Sequence, residues 1–204
     1  RGYGKKLRMW AYSRIDTAQN AEYLRLVREA GIKWLCLGIE NAEKKVRLGA
    51  IKGNFEDLDI SEVVNKVHQA DIDIIANYIF GLPRETNESM KKTLELSLKL
   101  CTAGWNAYPA MALPGSTLYK SAIENDFDLP DSYSGYSFHS YDTLPLPSET
   151  LSPAEILQFR DFAFDVYHSD KRFLKKVEKK FGEQAVSNLR DMTKIRLKRR
   201  ILGD

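Results

Sequence analysis

Along the first 125 residues, apolar and polar positions form two kinds of pattern in turn. Short apolar or alternating runs typical of strands cover residues 7–15, 32–39, 72–80 and 105–112. Between them, apolar residues recur every three or four positions, as on the buried side of a helix. The predicted order is β-α-β-α-β-α-β, with crossovers long enough to join parallel neighbours. We therefore expect residues 1–125 to form an α/β unit, either half a barrel or an open sheet.

Local signals predict several helix ends. Asp16 or Thr17 can cap the first helix, and Gly31 can end it. The segment Ser152-Pro153-Ala154-Glu155 combines a cap, a first-turn proline and a capping-box glutamate, so it predicts a helix that runs to about His168. Two more basic helices are expected after it, separated at Gly182.

Two further regions follow the α/β pattern. Residues 126–150 are rich in Ser, Pro, Asp and Tyr and have no usable period. A loop of this length is usually functional or disordered, and its aromatic residues argue against pure disorder. We therefore expect a substrate or lid loop at 126–150 and a basic helical C-terminal module at 151–204.

The charge of the chain is unevenly distributed. The formal net charge is +3, but residues 171–204 carry 12 Lys/Arg against 4 Asp/Glu. Such a segment could bind RNA or anionic lipid, which leaves a non-catalytic module binding nucleic acid or a protein partner as an alternative. Its apolar residues recur with helical spacing, which favours helices that face a core. These apolar positions are Phe173, Leu174, Val177, Phe181, Val186, Leu189, Ile195 and Leu197.

The composition bears on membrane spans, disulfides, the cellular compartment and metal binding. No apolar run approaches the roughly 18 residues of a membrane-spanning helix, so no span is expected. The two cysteines, Cys36 and Cys101, lie far apart in different local patterns. A disulfide framework is therefore not expected, and a reducing, cytoplasmic compartment fits. The three histidines have no metal-ligand spacing; His68 and His168 read as surface residues, and His139 lies in the aromatic loop.

Polar side chains occur near the ends of three predicted strands. Strand alternation puts Arg14, Glu40 and Asn77 on the side opposite the uniformly apolar positions, near one rim of the sheet. Ligands bind at the carboxyl edge of parallel sheets. Other readings stay open: Glu40 can cap a helix or pair with Arg14, and Asn77 can be a satisfied buried amide.

Three spaced segments together resemble a known enzyme family. Arg14-Ile15-Asp16, Leu37-Gly38-Ile39-Glu40-Asn41 and Ile79-Phe80-Gly81-Leu82-Pro83-Arg84-Glu85-Thr86 are similar to the later strands of radical S-adenosylmethionine (SAM) enzymes. Pro114-Gly115-Ser116-Thr117-Leu118-Tyr119 resembles the exit of their next strand. The subgroup with an upstream cobalamin-binding domain is the most similar.

The resemblance implies a partial (β/α) barrel with the late parallel strands of a radical SAM core. In that family Arg14 and Glu40 would face the methionyl and ribose groups of SAM, and Lys52 would reach its carboxylate. Asn77 matches a position near the ribose that is often acidic. The Gly81-Leu82-Pro83 turn would bring backbone close to the adenine.

This chain also departs from the family pattern. The three-cysteine loop that holds the [4Fe–4S] cluster is absent from the sequence, as is the Gly-Gly-Glu-like segment of the second strand. We therefore expect a piece of a longer protein that is inactive alone, with the missing N-terminal part supplying the cluster ligands. The resemblance further implies an organic small-molecule substrate, an electron donor and a possible cobalamin cofactor held by another domain.

Overall fold

The computed structural model describes residues 3–50 and 58–204. Within them, four parallel strands form one sheet in the order β1-β2-β3-β4, so each strand pairs with the next one along the chain. The strands are β1 (Met9–Arg14), β2 (Ile32–Glu40), β3 (Asp73–Phe80) and β4 (Gly104–Pro109). This α/β arrangement confirms the predicted fold class.

Eight α-helices accompany the sheet in the described part of the chain. They are α1 (Ala21–Ala30), α2 (Lys44–Ala50), α3 (Ile60–Gln69), α4 (Asn87–Leu100), α5 (Thr117–Glu124), α6 (Pro153–Ser169), α7 (Lys171–Phe181) and α8 (Glu183–Met192).

The main core lies between one face of the sheet and the helices that pack on it. Leu35, Leu37 and Ile39 of β2 are fully buried there, as strand alternation predicts. Ile74, Tyr78 and Trp105 from β3 and β4 join the same cluster. Side chains at the intervening strand positions lie on the opposite face, so the sheet has one core face and one face that we call the open face.

One predicted helix start is wrong. Asp16 accepts a hydrogen bond from the Thr17 amide and begins a short 3-10 turn, Thr17–Gln19, instead of α1. The cap of α1 is Asn20, whose side chain accepts from the Tyr23 amide. Gly31 ends α1 with a φ of 100°, a left-handed conformation that suits glycine.

The C-terminal helices pack on the sheet. Trp105 of β4 stacks on Tyr167 of α6, with ring centroids 5.2 Å apart. The capping box of Ser152 and Glu155 is present, and Gly182 separates α7 from α8 as predicted. Phe173 and Val177 of α7 are buried, so this basic helix uses its apolar side against the core.

Two readings of the C-terminal region need correction. His168 is buried, because its ring packs edge-on against Trp105 and its Nδ1 lies 2.8 Å from the Phe164 carbonyl oxygen. In contrast, Phe181, Ile195 and Leu197 are exposed, although their helical spacing suggested core positions.

The loop at 126–150 is tied to the C-terminal segment by one arginine. Arg199 is fully buried, and its Nη1 donates to the Ser140 carbonyl oxygen (2.9 Å) and to Thr143 Oγ1 (3.1 Å). Its Nε and Nη2 both donate to the Asp161 carboxylate at 3.0 Å. Four hydrogen bonds thus join the loop, α6 and the last residues of the chain.

Among the helices of the described ranges, none combines the length and apolar character that a membrane crossing requires.

Candidate functional site

The open face of the sheet holds a broad cavity of about 500 Å³ near the carboxyl ends of the strands. Arg14, Glu40 and Asn77, which the sequence predicted to converge, all line it. The other lining residues are Tyr12, Ser13, Cys36, Gly38, Ile79 and Tyr108. Residues from all four strands therefore meet in one depression.

Glu40 ends β2 in an unusual local structure. The register of β2 against β3 skips one residue between Gly38 and Glu40, and Glu40 has a φ of 66°. A side chain on Gly38 would collide with the Glu40 carboxyl group, so the glycine provides the space that this carboxyl occupies.

The electrostatic setting of Glu40 is also unusual. Burial raises the pKa of this carboxyl to about 7. No hydrogen bond or ion pair to the Glu40 carboxylate is formed by residues 3–50 or 58–204. Partial burial without donors disfavours the charged form, and a ligand that donates hydrogen bonds would reverse this penalty.

Arg14 lies at the more solvent-exposed side of the same cavity. Its Nε donates to Asp16 Oδ1 at 3.0 Å, and its Nη2 lies 2.5 Å from Asp16 Oδ2. This two-point pair orients the guanidinium at the end of β1. The ion pair considered from the sequence, between Arg14 and Glu40, is thus replaced here by one with Asp16.

Asn77 is a well-satisfied amide. Its Oδ1 accepts from Asn106 Nδ2 at 3.1 Å and from the Tyr108 hydroxyl at 3.4 Å. Its Nδ2 donates to the carbonyl oxygens of Ile75 and Leu37, at 3.3 and 3.5 Å. These bonds favour a structural role, because they occupy both ends of the amide.

Lys52, the fourth predicted binding residue, lies outside the described residues. Its placement in the site remains an expectation from the sequence.

The turn after β3 contains a second buried carboxyl group, which sequence reasoning missed. Glu85 is fully buried, and its Oε2 accepts from the amides of Gly81 (2.7 Å) and Leu82 (3.1 Å). Its Oε1 accepts from Asn41 Nδ2. Burial raises the pKa of Glu85 to about 7, while these donors pull it downward. An acidic residue four positions after the strand-ending glycine was the available signal.

The glycine of this turn faces the core. Gly81 has a φ of 82°, and a side chain on it would collide with Ile156 of α6. The backbone amides of Gly81 and Leu82 are bound by Glu85. The need for glycine here therefore follows from packing and backbone conformation. The expected close approach of this backbone to adenine is not required to explain it.

The aromatic loop reaches the rim of the open face. Phe138 packs edge-on against Tyr108 of β4, with ring centroids 5.0 Å apart. The Arg160 guanidinium carbon lies 5.1 Å from the Phe138 ring centroid. The loop thus contributes a wall next to the cavity of the open face.

The His, Cys, Asp and Glu side chains are the groups that could bind a metal ion. Within residues 3–50 and 58–204, no three His, Cys, Asp or Glu side chains are arranged to hold a metal ion. Cys36 lines the open face and Cys101 follows α4, so the two thiols of this sequence do not form a common site.

Comparison with solved structures places the fold. The radical S-adenosylmethionine methyltransferase TsrM from Kitasatospora setae, with cobalamin and a [4Fe-4S] cluster bound, aligns with 76% of this chain at 19% identity and a TM-score of 0.52. The archaeal Elp3 from Methanocaldococcus infernus, with an N-terminal deletion (1-46), aligns with 86% at 13% identity and a TM-score of 0.51. Coproporphyrinogen III oxidase (HemN) from Escherichia coli, a radical SAM enzyme, aligns with 64% of this chain at 16% identity and a TM-score of 0.45.

The likeness is one of fold and is partial. The aligned region spans 29% of the TsrM chain and 47% of the Elp3 chain. No protein-family model and no curated protein matches the sequence. The described sheet and helices thus match part of the fold of a radical SAM methyltransferase.

Proposed function

We propose that this chain is part of a radical SAM enzyme and that its open face holds part of the SAM molecule. The observation that carries the proposal is the Glu40 carboxyl group. It lies partly buried at the carboxyl end of a parallel strand, without a hydrogen-bond donor from the described residues, in a cavity of about 500 Å³. Such a group needs an external donor to be stable as a carboxylate.

The polar groups of the open face fit a sulfonium nucleoside. A ribose diol supplies two hydroxyl donors, and the Glu40 carboxylate supplies two acceptor oxygens. Arg14, oriented by Asp16, supplies a cation for the methionyl carboxylate, and Lys52 is proposed to assist it. Asn77 would act indirectly, by accepting from Asn106 and fixing Tyr108 on the wall of the cavity.

The residues do not fit a [4Fe–4S] cluster, which needs three or more thiolates from the protein. We propose that the cluster ligands lie in a part of the protein that precedes this chain. The edge strand β1, with exposed Trp10 and Tyr12 on the open face, is the place where such a part would pair. On this proposal, the chain alone is inactive.

The proposed division of labour follows the fold. Residues 1–125 form the late part of the barrel, residues 126–150 form the wall over a small organic substrate, and residues 151–204 support the sheet. When bound, SAM would supply radical chemistry on that substrate, while Glu40 and Arg14 would hold its ribose and methionyl groups. Methyl transfer with cobalamin from another domain is one proposed outcome.

The test is SAM binding by the purified chain, followed by backbone amide NMR. We expect millimolar SAM to shift the amide signals of Gly38, Glu40 and Asn77 at pH 8. Because only the carboxylate accepts from both hydroxyls, affinity should fall about tenfold at pH 6, given a group with a pKa of about 7.

The matched variants are Glu40→Gln and Glu43→Gln. The first removes the charge from the proposed site and should weaken SAM binding about tenfold at pH 8. The second alters a nearby carboxylate that pairs with Lys92 and should leave binding unchanged. Equal SAM affinity in Glu40→Gln and the unaltered chain would overturn the assignment.

A further inference from the structure

A second cavity, of about 300 Å³, lies on the side of α6 that faces the C-terminal segment. We call it the α6 cavity. Its apolar wall consists of Phe164, Met192, Ile195 and Leu197, and its polar wall consists of His139, Arg160, Asp161, Asp165 and Arg196. The volume and the mixture of an apolar wall with a few polar groups are typical of small-molecule sites.

Arg160 is the fixed polar group of this cavity. Its side chain is only 6% exposed. Its Nε donates to the Ala107 carbonyl oxygen at 2.9 Å, and its Nη1 donates to Asp161 Oδ1 at 2.8 Å. The Phe138 and Phe164 rings lie 5.1 and 5.4 Å from the guanidinium carbon. These contacts hold the guanidinium rigidly.

The Nη2 end of this guanidinium is available to a ligand. Nη2 of Arg160 forms no hydrogen bond with residues 3–50 or 58–204, although Nε and Nη1 are both bound. An Arg that lines a cavity with two unused N–H groups is suited to an anionic acceptor.

The local charge balance is positive. Asp161 is shared between Arg160 and the buried Arg199, while Asp165 pairs with Arg196. These five groups leave one positive charge in excess. The pKa of His139 is lowered, first by burial and then by the charges of Arg160 and Arg199, so the imidazole adds no further charge at neutral pH.

We propose that the α6 cavity binds a small monocarboxylate with an apolar body. The carboxylate accepts from Arg160 Nη2, and its single charge balances the excess positive charge. The apolar body packs against Phe164, Met192 and Ile195. A phosphate dianion fits less well, because it would exceed the available charge and leave the apolar wall uncovered. The inference is independent of SAM binding at the open face.

The experiment uses the full chain, with the ¹³C-labelled methyl group of Met192 as the NMR reporter. The probes are 3-phenylpropionate and the corresponding alcohol, 3-phenylpropan-1-ol, which has the same apolar body without the charge. We expect the acid to shift the Met192 methyl signal at millimolar concentration and the alcohol to bind about tenfold more weakly.

A surface variant tests the site without disturbing the core. Ile195 is 68% exposed, so Ile195→Asp should leave the fold intact, and its carboxylate should weaken binding of the acid about tenfold by charge repulsion. Ile123→Asp, at a similarly exposed position on α5 away from the cavity, is the matched control and should bind normally.

Three results would overturn the proposal. The first is the absence of any Met192 shift with millimolar acid. The second is equal affinity for acid and alcohol, which would show that Arg160 takes no part. The third is unchanged acid binding in Ile195→Asp, which would place the probe elsewhere.

Discussion

The carboxyl groups of Glu40 and Glu85 lie in neighbouring turns at the same edge of the sheet but in opposite surroundings. Burial raises the pKa of each to about 7. Glu85 accepts hydrogen bonds from Gly81, Leu82 and Asn41, which tie the turn after β3 to the end of β2. Glu40 has no such donors in the described part of the chain.

This difference separates a structural carboxyl group from a candidate binding group. Glu85 organises the backbone, and its cost of burial is offset by the bonds that it makes. Glu40 bears a similar cost without a matching interaction from residues 3–50 or 58–204. A pKa shift of the same direction and size therefore indicates different roles, and the hydrogen-bond partners tell them apart.

The largest expected effect concerns the structural member of the pair. Glu85→Ala leaves three buried N–H donors without an acceptor, and we expect it to lower the free energy of unfolding by about 3–5 kcal/mol. Urea denaturation at pH 7 measures the change. The control is Glu88→Ala in the exposed first turn of α4, with an expected loss below about 1 kcal/mol. Similar losses in the two variants would contradict the role assigned to Glu85.

The next largest effect is a gain in the free energy of unfolding, opposite in sign to that of Glu85→Ala. The folded-state pKa of Glu40 is raised, so its contribution to stability is present below about pH 4.5 and is lost as pH rises through about 7. Glu40→Gln should therefore raise the free energy of unfolding by about 1–3 kcal/mol at pH 8 and change it little at pH 4. Thermal unfolding across this range tests the sign. Destabilisation at pH 8 would show that Glu40 has an internal role.

The smallest effect concerns a third carboxyl group, Glu43, three residues after Glu40. Its pKa is lowered, chiefly by the hydrogen bond from Lys92, whose Nζ lies 2.8 Å from Glu43 Oε1. Its contribution is thus present above its ordinary pKa and is lost as pH falls. Because the pair is partly exposed, Glu43→Gln should cost only about 0–1 kcal/mol at pH 7. A chemical denaturation series at pH 3 and pH 7 should show this cost at pH 7 and lose it at pH 3.

Much of the fold could be predicted from the sequence, because its causes are local. Strand alternation identified the buried side of β2, and the Ser152 capping box and Gly182 marked helix boundaries correctly. The start of α1 was placed too early, because Asp16 and Asn20 both have capping side chains and only one of them begins the α-helix. Short-range competition of this kind is decided by the packing that follows.

The sites were less predictable. Alternation brought Arg14, Glu40 and Asn77 to one face, and the structure places all three along one cavity. The donors to Glu85, the burial of His168 and the bonds of Arg199 depend on residues that are distant in sequence. Arg199 reads as one of many basic residues at the C-terminal end, yet it is fully buried against Asp161. Nothing in its local sequence distinguishes it.

The backbone at position 40 has a consequence for engineering. Glycine and asparagine tolerate the left-handed conformation there better than glutamate does. If a library randomised at this codon were sorted for heat resistance alone, the winners should carry those two residues. A second selection, for binding of the nucleoside, should recover glutamate. The two selections would therefore favour different residues at position 40.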